Sequence, residues 1–148
     1  MNTQKSKLVN LLPGEPGFDF LGFHHRRMPV VFEGGRVRNY LRSFPSKKAM
    51  KKMRAKVKEE MAPRNRLYRT PEQVVADLNP MIQGWRNYYG SVDSGVSRRF
   101  LMKVDWYIFR RLVLFWRKKH KRNRLTPTQI MRVFESKGLK TISGYGQL

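Results

Sequence analysis

The chain has 148 residues, and 32 lysines and arginines against 10 aspartates and glutamates give it a formal net charge of +22. Charge of this density predicts an anionic partner, nucleic acid before a membrane surface, and a composition with 40% hydrophobic and 12% aromatic residues is too apolar for a disordered basic tail. The lack of cysteine excludes disulfide scaffolds, zinc fingers and thiol enzymes, and it favours a reducing compartment.

The N-terminal third of the chain has the pattern of strands and turns. Short apolar runs lie on both sides of Gly34 and Gly35, which can supply the positive φ angles of a hairpin turn. We therefore predict a small antiparallel element over residues 18–42, preceded by a lead-in over residues 1–17.

Helical patterns follow the antiparallel element. Ser46 is expected to cap the first helix, and Thr-Pro-x-Gln sequences at Thr70 and Thr126 predict capping boxes for the second and the last. Gly90 and Gly138 are expected to end those two helices. The predicted helices cover residues 47–61, 71–89, 97–118 and 127–137, so the predicted fold class is mainly α with a small N-terminal β-hairpin element.

Apolar spacing identifies the core-facing sides of these helices. The stripe of the first helix is Met50, Met53, Val57 and Met61, and that of the third is Phe100, Val104, Ile108, Leu112 and Phe115. Pro80 interrupts the pattern of the second helix, and we expect it either to kink the helix or to restart it with Asn79 as a new N-cap.

Aromatic residues are interleaved with arginines in the second and third helices. Such side chains can stack on unpaired bases, but helical spacing favours Trp85 and Tyr88 as core residues. With those two buried, Arg86 and Asn87 are expected to face outward, where they could contact RNA.

Basic residues are concentrated in three segments, at 47–58, 64–66 and 117–124. Each phosphate that they neutralise releases counterions, so the composition favours nucleic-acid binding over a surface that is basic for solubility alone or of ribosomal type. The candidate RNA-binding residues are basic, amide or aromatic side chains of the predicted helices and the last basic segment: Lys47, Lys48, Lys51, Lys52, Arg54, Arg86, Asn87, Tyr89, Arg99, Lys103, Arg110, Arg117, Lys118, Lys119, Lys121 and Arg122.

The acidic and histidine residues do not form a pattern typical of a catalytic or metal site. The adjacent acids Glu59–Glu60 would point in different directions on a helix, and His24–His25 have no third ligand at a suitable spacing. Asp19 and Asp105 are expected to be structural. We predict no catalytic residue, no metal and no cofactor in this chain.

No apolar stretch has the length of a membrane span, because charged residues interrupt the most apolar region, residues 100–116. The N-terminus lacks the apolar core of a secretory signal. The sequence therefore predicts a cytoplasmic protein with no membrane partner.

Three blocks of the sequence resemble a known family. They are Phe18-Asp19-Phe20-Leu21-Gly22-Phe23, then Pro45-Ser46-Lys47-Lys48-Ala49 at the start of a basic helix, then Leu78-Asn79-Pro80-Met81-Ile82-Gln83-Gly84-Trp85-Arg86-Asn87-Tyr88-Tyr89. In this order they are similar to group II intron-encoded reverse transcriptases/maturases. The third block resembles the signature of the maturase domain, domain X, and the resemblance covers residues 16–140.

The resemblance implies a division of the chain and a function. Residues 18–66 would be the end of the polymerase palm with a thumb-like basic helix, residues 67–140 would be domain X, and residues 141–148 a tail. It also implies a module that binds structured intron RNA and assists splicing while the ribozyme performs the chemistry. A duplex of RNA and DNA is a further expected ligand.

The family's polymerase fingers and palm, with their paired metal-binding aspartates, and its HNH endonuclease have no counterpart in these residues. We therefore expect no polymerase site in this chain and no enzymatic activity of its own. One alternative is the thumb and domain X part of a split or truncated reverse transcriptase, active only with a separate palm-containing protein. A general basic nucleic-acid-binding protein is another.

Overall fold

An antiparallel sheet and four helices follow one another in the computed structural model, which describes residues 17–144. The elements are β1 (Phe18–Phe20), β2 (Phe23–Val31), β3 (Val37–Pro45), α1 (Lys47–Met61), α2 (Pro71–Tyr89), α3 (Ser94–Lys119) and α4 (Pro127–Ser136), with a single 3-10 turn at Arg64–Arg66. The predicted mainly α fold with a small N-terminal β element is confirmed. Residues 1–16 of the predicted lead-in, and the predicted tail from residue 145 onward, lie outside the described residues.

The sheet has the strand order β1-β2-β3, with both neighbouring pairs antiparallel. Gly34 and Gly35 form the turn between β2 and β3 with φ angles of +87° and +81°, as predicted for a hairpin. The ladder pairs Val31 with Val37 at the turn and Phe23 with Pro45 at the other end. The β element therefore continues three residues beyond its predicted end, up to the start of α1.

Local capping fixes the starts of three helices. The Ser46 side chain accepts a hydrogen bond from the Ala49 amide at 3.1 Å. Thr70 and Thr126 each form a complete capping box with the glutamine three residues later. These starts are confirmed because the sequence signal and the hydrogen bonds that satisfy it lie within four residues.

The helix α2 runs without interruption through Pro80. Asn79 does not cap a new helix: its side chain donates to the Gly138 carbonyl at 2.9 Å and accepts from the Lys140 amide at 3.0 Å. The predicted restart at Asn79 is therefore wrong, because a distant part of the chain uses the side chain that would have formed the cap.

The helix α3 begins at Ser94, three residues earlier than predicted. Its N-cap, Asp93, lies in the left-handed region with a φ of +46° and makes no side-chain cap. Its carboxylate instead accepts from Arg42 Nε at 2.8 Å and from the Ser43 amide at 3.1 Å, both on β3. The start of α3 is thus fixed by contact with the sheet, which the local sequence does not reveal.

Apolar side chains of all four helices meet in one core. Its members include Met50, Met53, Val57 and Met61 of α1, Val74, Leu78 and Ile82 of α2, Leu101, Val104, Ile108, Leu112 and Phe115 of α3, and Ile130 and Phe134 of α4. The predicted stripe of α1 is confirmed, and that of α3 is confirmed except for Phe100, which is half-buried and stacks on Phe44 with ring centroids 4.2 Å apart. No helix within residues 17–144 is both long and apolar enough to span a bilayer.

Candidate nucleic-acid interface

The helix α3 has a basic and aromatic face on the side away from the core. The residues of this outer α3 face recur every three, four or seven positions, which places them along one side of a helix: Arg99, Lys103, Trp106, Arg110 and Arg117. All of them are exposed, whereas Val104 and Ile108 between them are buried. The Trp106 side chain is 50% exposed, and its ring meets Phe109 edge-on at 5.5 Å. This face therefore presents cations and an indole ring together to solvent.

The helix α1 presents a second basic face. Lys47, Lys48, Lys51 and Lys52 are exposed, while Arg54 is half-buried. The first turn of α1 contains no acidic residue that would neutralise this charge locally. The helices α1 and α3 pack against each other through their apolar sides, so their basic faces remain on the surface.

The basic segment after α3 is exposed at Lys118, Lys121 and Arg122. Lys119 differs, because it is half-buried and its ammonium donates a hydrogen bond to the Arg69 carbonyl. The ammonium also lies 5.9 Å from the centre of the Phe115 ring. Lys119 thus ties this segment to the rest of the fold, and the RNA contact predicted for it stays a prediction.

The C-terminal end of α2 closes on the turn between β1 and β2. The Tyr88 hydroxyl donates to the Leu21 carbonyl at 2.6 Å, and the Phe23 ring lies 5.5 Å from the Tyr88 ring and 5.3 Å from the Tyr89 ring. Gly22 has a φ of +83°, and a Cβ atom there would lie 3.1 Å from the Tyr89 hydroxyl oxygen. Two of the sequence blocks that carry the family resemblance are therefore in direct contact.

The aromatic residues of α2 are placed only partly as predicted. Trp85 is half-buried and packs against the core, but Tyr88 is 48% exposed, so its predicted burial is wrong. The reason is its hydroxyl group, which reaches the backbone of the turn instead of entering the core. Tyr89, predicted to contact RNA, is half-buried, and burial raises the pKa of its phenol.

Arg86 does not face outward as the sequence predicted. It is half-buried, and its guanidinium donates through Nε to the Thr141 carbonyl at 2.8 Å, with a second bond from Nη2 to the same oxygen. Asn87 is exposed, and its amide oxygen accepts from Gln83 Nε2 at 2.7 Å. Of this neighbouring pair, only Asn87 is therefore on the surface.

Residues 138–143, here called the C-terminal segment, are held by polar side chains of α2 and α3. In addition to the bonds from Asn79 and Arg86, the Asp105 carboxylate accepts from the Ile142 amide at 2.7 Å and from the Ser143 amide at 3.1 Å. Burial raises the pKa of Asp105, and these hydrogen bonds and the nearby Arg86 oppose that shift. The predicted structural role of Asp105 is confirmed.

The two adjacent histidines of β2 have separate partners. His24 Nδ1 lies 2.6 Å from Asp19 Oδ1, which gives Asp19 the structural role predicted for it, and His25 Nδ1 lies 2.7 Å from Ser43 Oγ. Burial lowers the pKa of His25. Within residues 17–144, no group of at least three histidines and acids is arranged to hold a metal ion.

One polar cluster was not identified from the sequence. Arg69 is 4% exposed, and its guanidinium donates to Asp77 Oδ2 at 2.8 Å, to the Glu60 carbonyl at 2.7 Å and to the Arg66 carbonyl at 3.0 Å. These residues and Tyr68 line a cleft of about 440 Å³ between the end of α1 and the start of α2, here called the Arg69 cleft. Arg69 stands outside any helix, so no periodicity distinguishes it from the other arginines of this chain.

Comparison with known proteins identifies the family. The family model described as group II intron, maturase-specific domain, matches residues 50–134, which is more than half of the chain. The matched residues extend from α1 into α4 and contain the outer α3 face and the Arg69 cleft. Neither the curated proteins nor the solved structures contain a match to the chain. The chain belongs to the group II intron maturase-specific domain family.

Proposed function

We propose that this chain binds structured group II intron RNA and assists splicing by stabilising the folded RNA, while the RNA itself performs the chemistry. The match to the maturase-specific domain over residues 50–134 is the observation that carries this proposal. The formal net charge of +22 supports it, because an excess of this size favours a polyanionic ligand.

The outer α3 face is the best-defined surface for this function. From Arg99 to Arg117 it extends about 27 Å, at about 1.5 Å per helical residue. Its cations can neutralise successive phosphates, and each such contact releases condensed counterions. Trp106 lies among these cations and is exposed, so its ring can stack on an unpaired base. The cations bind phosphates and do not hold a base in this way.

Titration of an intron transcript with a variant that lacks three positive charges tests the outer α3 face. We expect the triple variant R99Q, K103Q, R110Q to bind a group II intron transcript more weakly than the unmodified protein, and to lower the slope of log affinity against log salt by up to about 3. The matched control removes equal charge from exposed positions of the hairpin and α4, as R36Q, R38Q, R132Q. Equal losses in both variants would show that net charge, and not this face, determines binding.

Preference for the intron separates a maturase from a general basic protein. At physiological salt, the unmodified protein should bind a folded group II intron transcript at least about tenfold more tightly than an unrelated structured RNA of the same length. It should also increase the splicing rate of that transcript at limiting Mg²⁺. Equal affinity for both RNAs, with no effect on splicing, would reject the proposal.

The absence of polymerase activity is part of the same proposal. We expect no primer extension when the chain is mixed with a primed RNA template, deoxynucleotides and Mg²⁺, because such chemistry needs carboxylates that converge on metal ions. Extension by the purified chain alone would contradict it.

A second candidate function is that of the thumb and domain X part of a divided reverse transcriptase. The sheet and the first turn of α1 favour it, since they precede the matched residues and carry the Phe18–Phe23 block that resembles the end of a palm. In that case, primer extension would be detected only after addition of a palm-containing chain, and the two chains would purify together.

A further inference from the structure

The Arg69 cleft combines a fixed polar floor with an exposed aromatic ring. Arg69 is buried, and its guanidinium is held by bonds from all three of its nitrogens, so the floor of the cleft is rigid. Tyr68, in contrast, lines the same cleft and is 75% exposed. A tyrosine held at the edge of a polar cleft in this way offers a face for stacking a planar ligand.

The free polar atoms of the cleft include carboxylate oxygens, beside the N–H groups of Arg66 that take no part in its bond to Glu60. Asp77 binds Arg69 through Oδ2, and Glu60 binds Arg66 through Oε2 at 2.5 Å. Their other oxygens, Asp77 Oδ1 and Glu60 Oε1, accept no hydrogen bond from residues 17–144, and the Asp77 side chain is 46% exposed. Ionised carboxylates can only accept, so these two oxygens favour a ligand that presents hydrogen-bond donors to them.

A phosphate group does not fit this requirement. In a chain with a net charge of +22, most of the surface attracts phosphate, but in this cleft the two carboxylates offset the charges of Arg66 and Arg69. The Arg69 cleft therefore favours an uncharged part of a nucleic acid that can donate hydrogen bonds. The remaining part with both a planar face and N–H donors is the nucleobase.

The donor pattern distinguishes among the four bases. On its Watson–Crick edge, guanine has two adjacent donors, the N1–H and the N2 amino group. Adenine and cytosine have one amino donor beside an acceptor, and uracil has one N–H between two acceptors. Only guanine can give two neighbouring donors to a carboxylate without placing an acceptor against it.

The cleft also lies beside a phosphate-binding segment. Lys119 donates to the Arg69 carbonyl, so the exposed cations Lys118, Lys121 and Arg122 begin next to the cleft. A strand whose phosphates lie on those cations can therefore place one base in the cleft. The geometry points to the Arg69 cleft as a binding site for an unpaired guanine of the bound RNA, stacked on Tyr68 and hydrogen-bonded to Asp77; this inference rests on the proposed RNA-binding function.

Short oligonucleotides test this site separately from the binding of folded RNA. A single-stranded oligouridine with one central guanosine should bind the unmodified protein about tenfold more tightly than the same oligonucleotide with inosine there, because inosine lacks the N2 amino group. Y68A should weaken binding of the guanosine oligonucleotide about tenfold, and Y68F should leave it unchanged, since stacking needs only the ring. D77N should abolish the preference for guanosine over inosine.

Stability measurements keep these outcomes interpretable. Y68A changes an exposed residue and should unfold at the same temperature as the unmodified protein, so it remains a valid test even if D77N leaves Arg69 unpaired and fails to fold. Equal affinity of the unmodified protein for guanosine and inosine oligonucleotides, or no effect of Y68A, would overturn the guanine site. The proposed function would survive that result if the intron transcript still bound through the outer α3 face, and it would fail only if that binding were absent too.

Discussion

Gly22 is the residue at which the turn between β1 and β2 meets the end of α2. Two independent constraints act there, since its φ is +83° and a Cβ atom would lie 3.1 Å from the Tyr89 hydroxyl oxygen. Leu21, the residue before it, also has a positive φ, of +53°. The strained residue of this turn is therefore Leu21, whose carbonyl accepts the hydrogen bond from the Tyr88 hydroxyl.

Replacing Gly22 with alanine should separate these two constraints. We expect G22A to lower the free energy of unfolding by more than G34A, because Gly34 has a similar φ of +87° but open space around it. G34A should lose only the backbone term, about 1–2 kcal/mol. Urea denaturation measures both variants. Equal losses would mean that the Tyr89 ring moves freely and that the contact with Gly22 contributes nothing.

Arg86 and Asn87 are adjacent in the sequence, but we expect their replacement to have different effects on the free energy of unfolding. R86A removes the bonds to the Thr141 carbonyl and should lower the free energy of unfolding by about 1–3 kcal/mol, whereas N87A should change it by less than about 0.5 kcal/mol. Hydrogen exchange of the Ile142 and Ser143 amides, which are bonded to Asp105, should become faster in R86A. Unchanged exchange in R86A would show that Arg86 does not hold the C-terminal segment.

Helix starts show where sequence reasoning succeeds and where it fails. The caps at Thr70 and Thr126 could be predicted because signal and partner lie three residues apart. Asn79 and Asp93 have the same chemistry as a cap, yet their side chains bind residues about 60 and 50 positions away. A side chain that could cap the nearest helix can instead bind the backbone of a distant residue. A single sequence does not show which of these two partners the side chain takes.

Asp93 joins the start of α3 to β3, so its replacement tests how much this contact stabilises the fold. D93A should lower the free energy of unfolding by about 2–4 kcal/mol, because it leaves the Ser43 amide without an acceptor and places alanine at a φ of +46°. D93N should cost less than half as much, since asparagine tolerates this φ and keeps one acceptor oxygen. Circular dichroism during thermal unfolding measures both, and a D93N as unstable as D93A would assign the effect to the Arg42 ion pair.

The charge of the whole molecule could be predicted from composition, but its distribution could not. Within the described residues, the acids that form ion pairs with lysine or arginine are Glu60, Glu72, Asp77 and Asp93. Because the chain has 32 lysines and arginines but only 10 acids, internal ion pairs cannot balance its positive charge. Some basic residues form hydrogen bonds within the fold, as Arg69, Arg86 and Lys119 do with backbone carbonyls. These bonds depend on tertiary contacts, so only the structure shows which basic residues form them.

This unbalanced charge predicts how the stability of the whole molecule depends on salt. Unpaired cations repel one another in the folded state, so screening should stabilise it. Raising NaCl from about 0.01 M to 0.15 M shortens the Debye length from about 30 Å to 8 Å and should raise the Tm by several degrees. Sucrose of equal osmolality serves as the uncharged control. A group II intron transcript at low salt should raise the Tm further, because the proposed function requires it to bind the folded state more tightly than the unfolded chain. A Tm that stays level or falls as NaCl increases would show that the ion pairs of Glu60, Glu72, Asp77 and Asp93 outweigh the repulsion among the remaining cations.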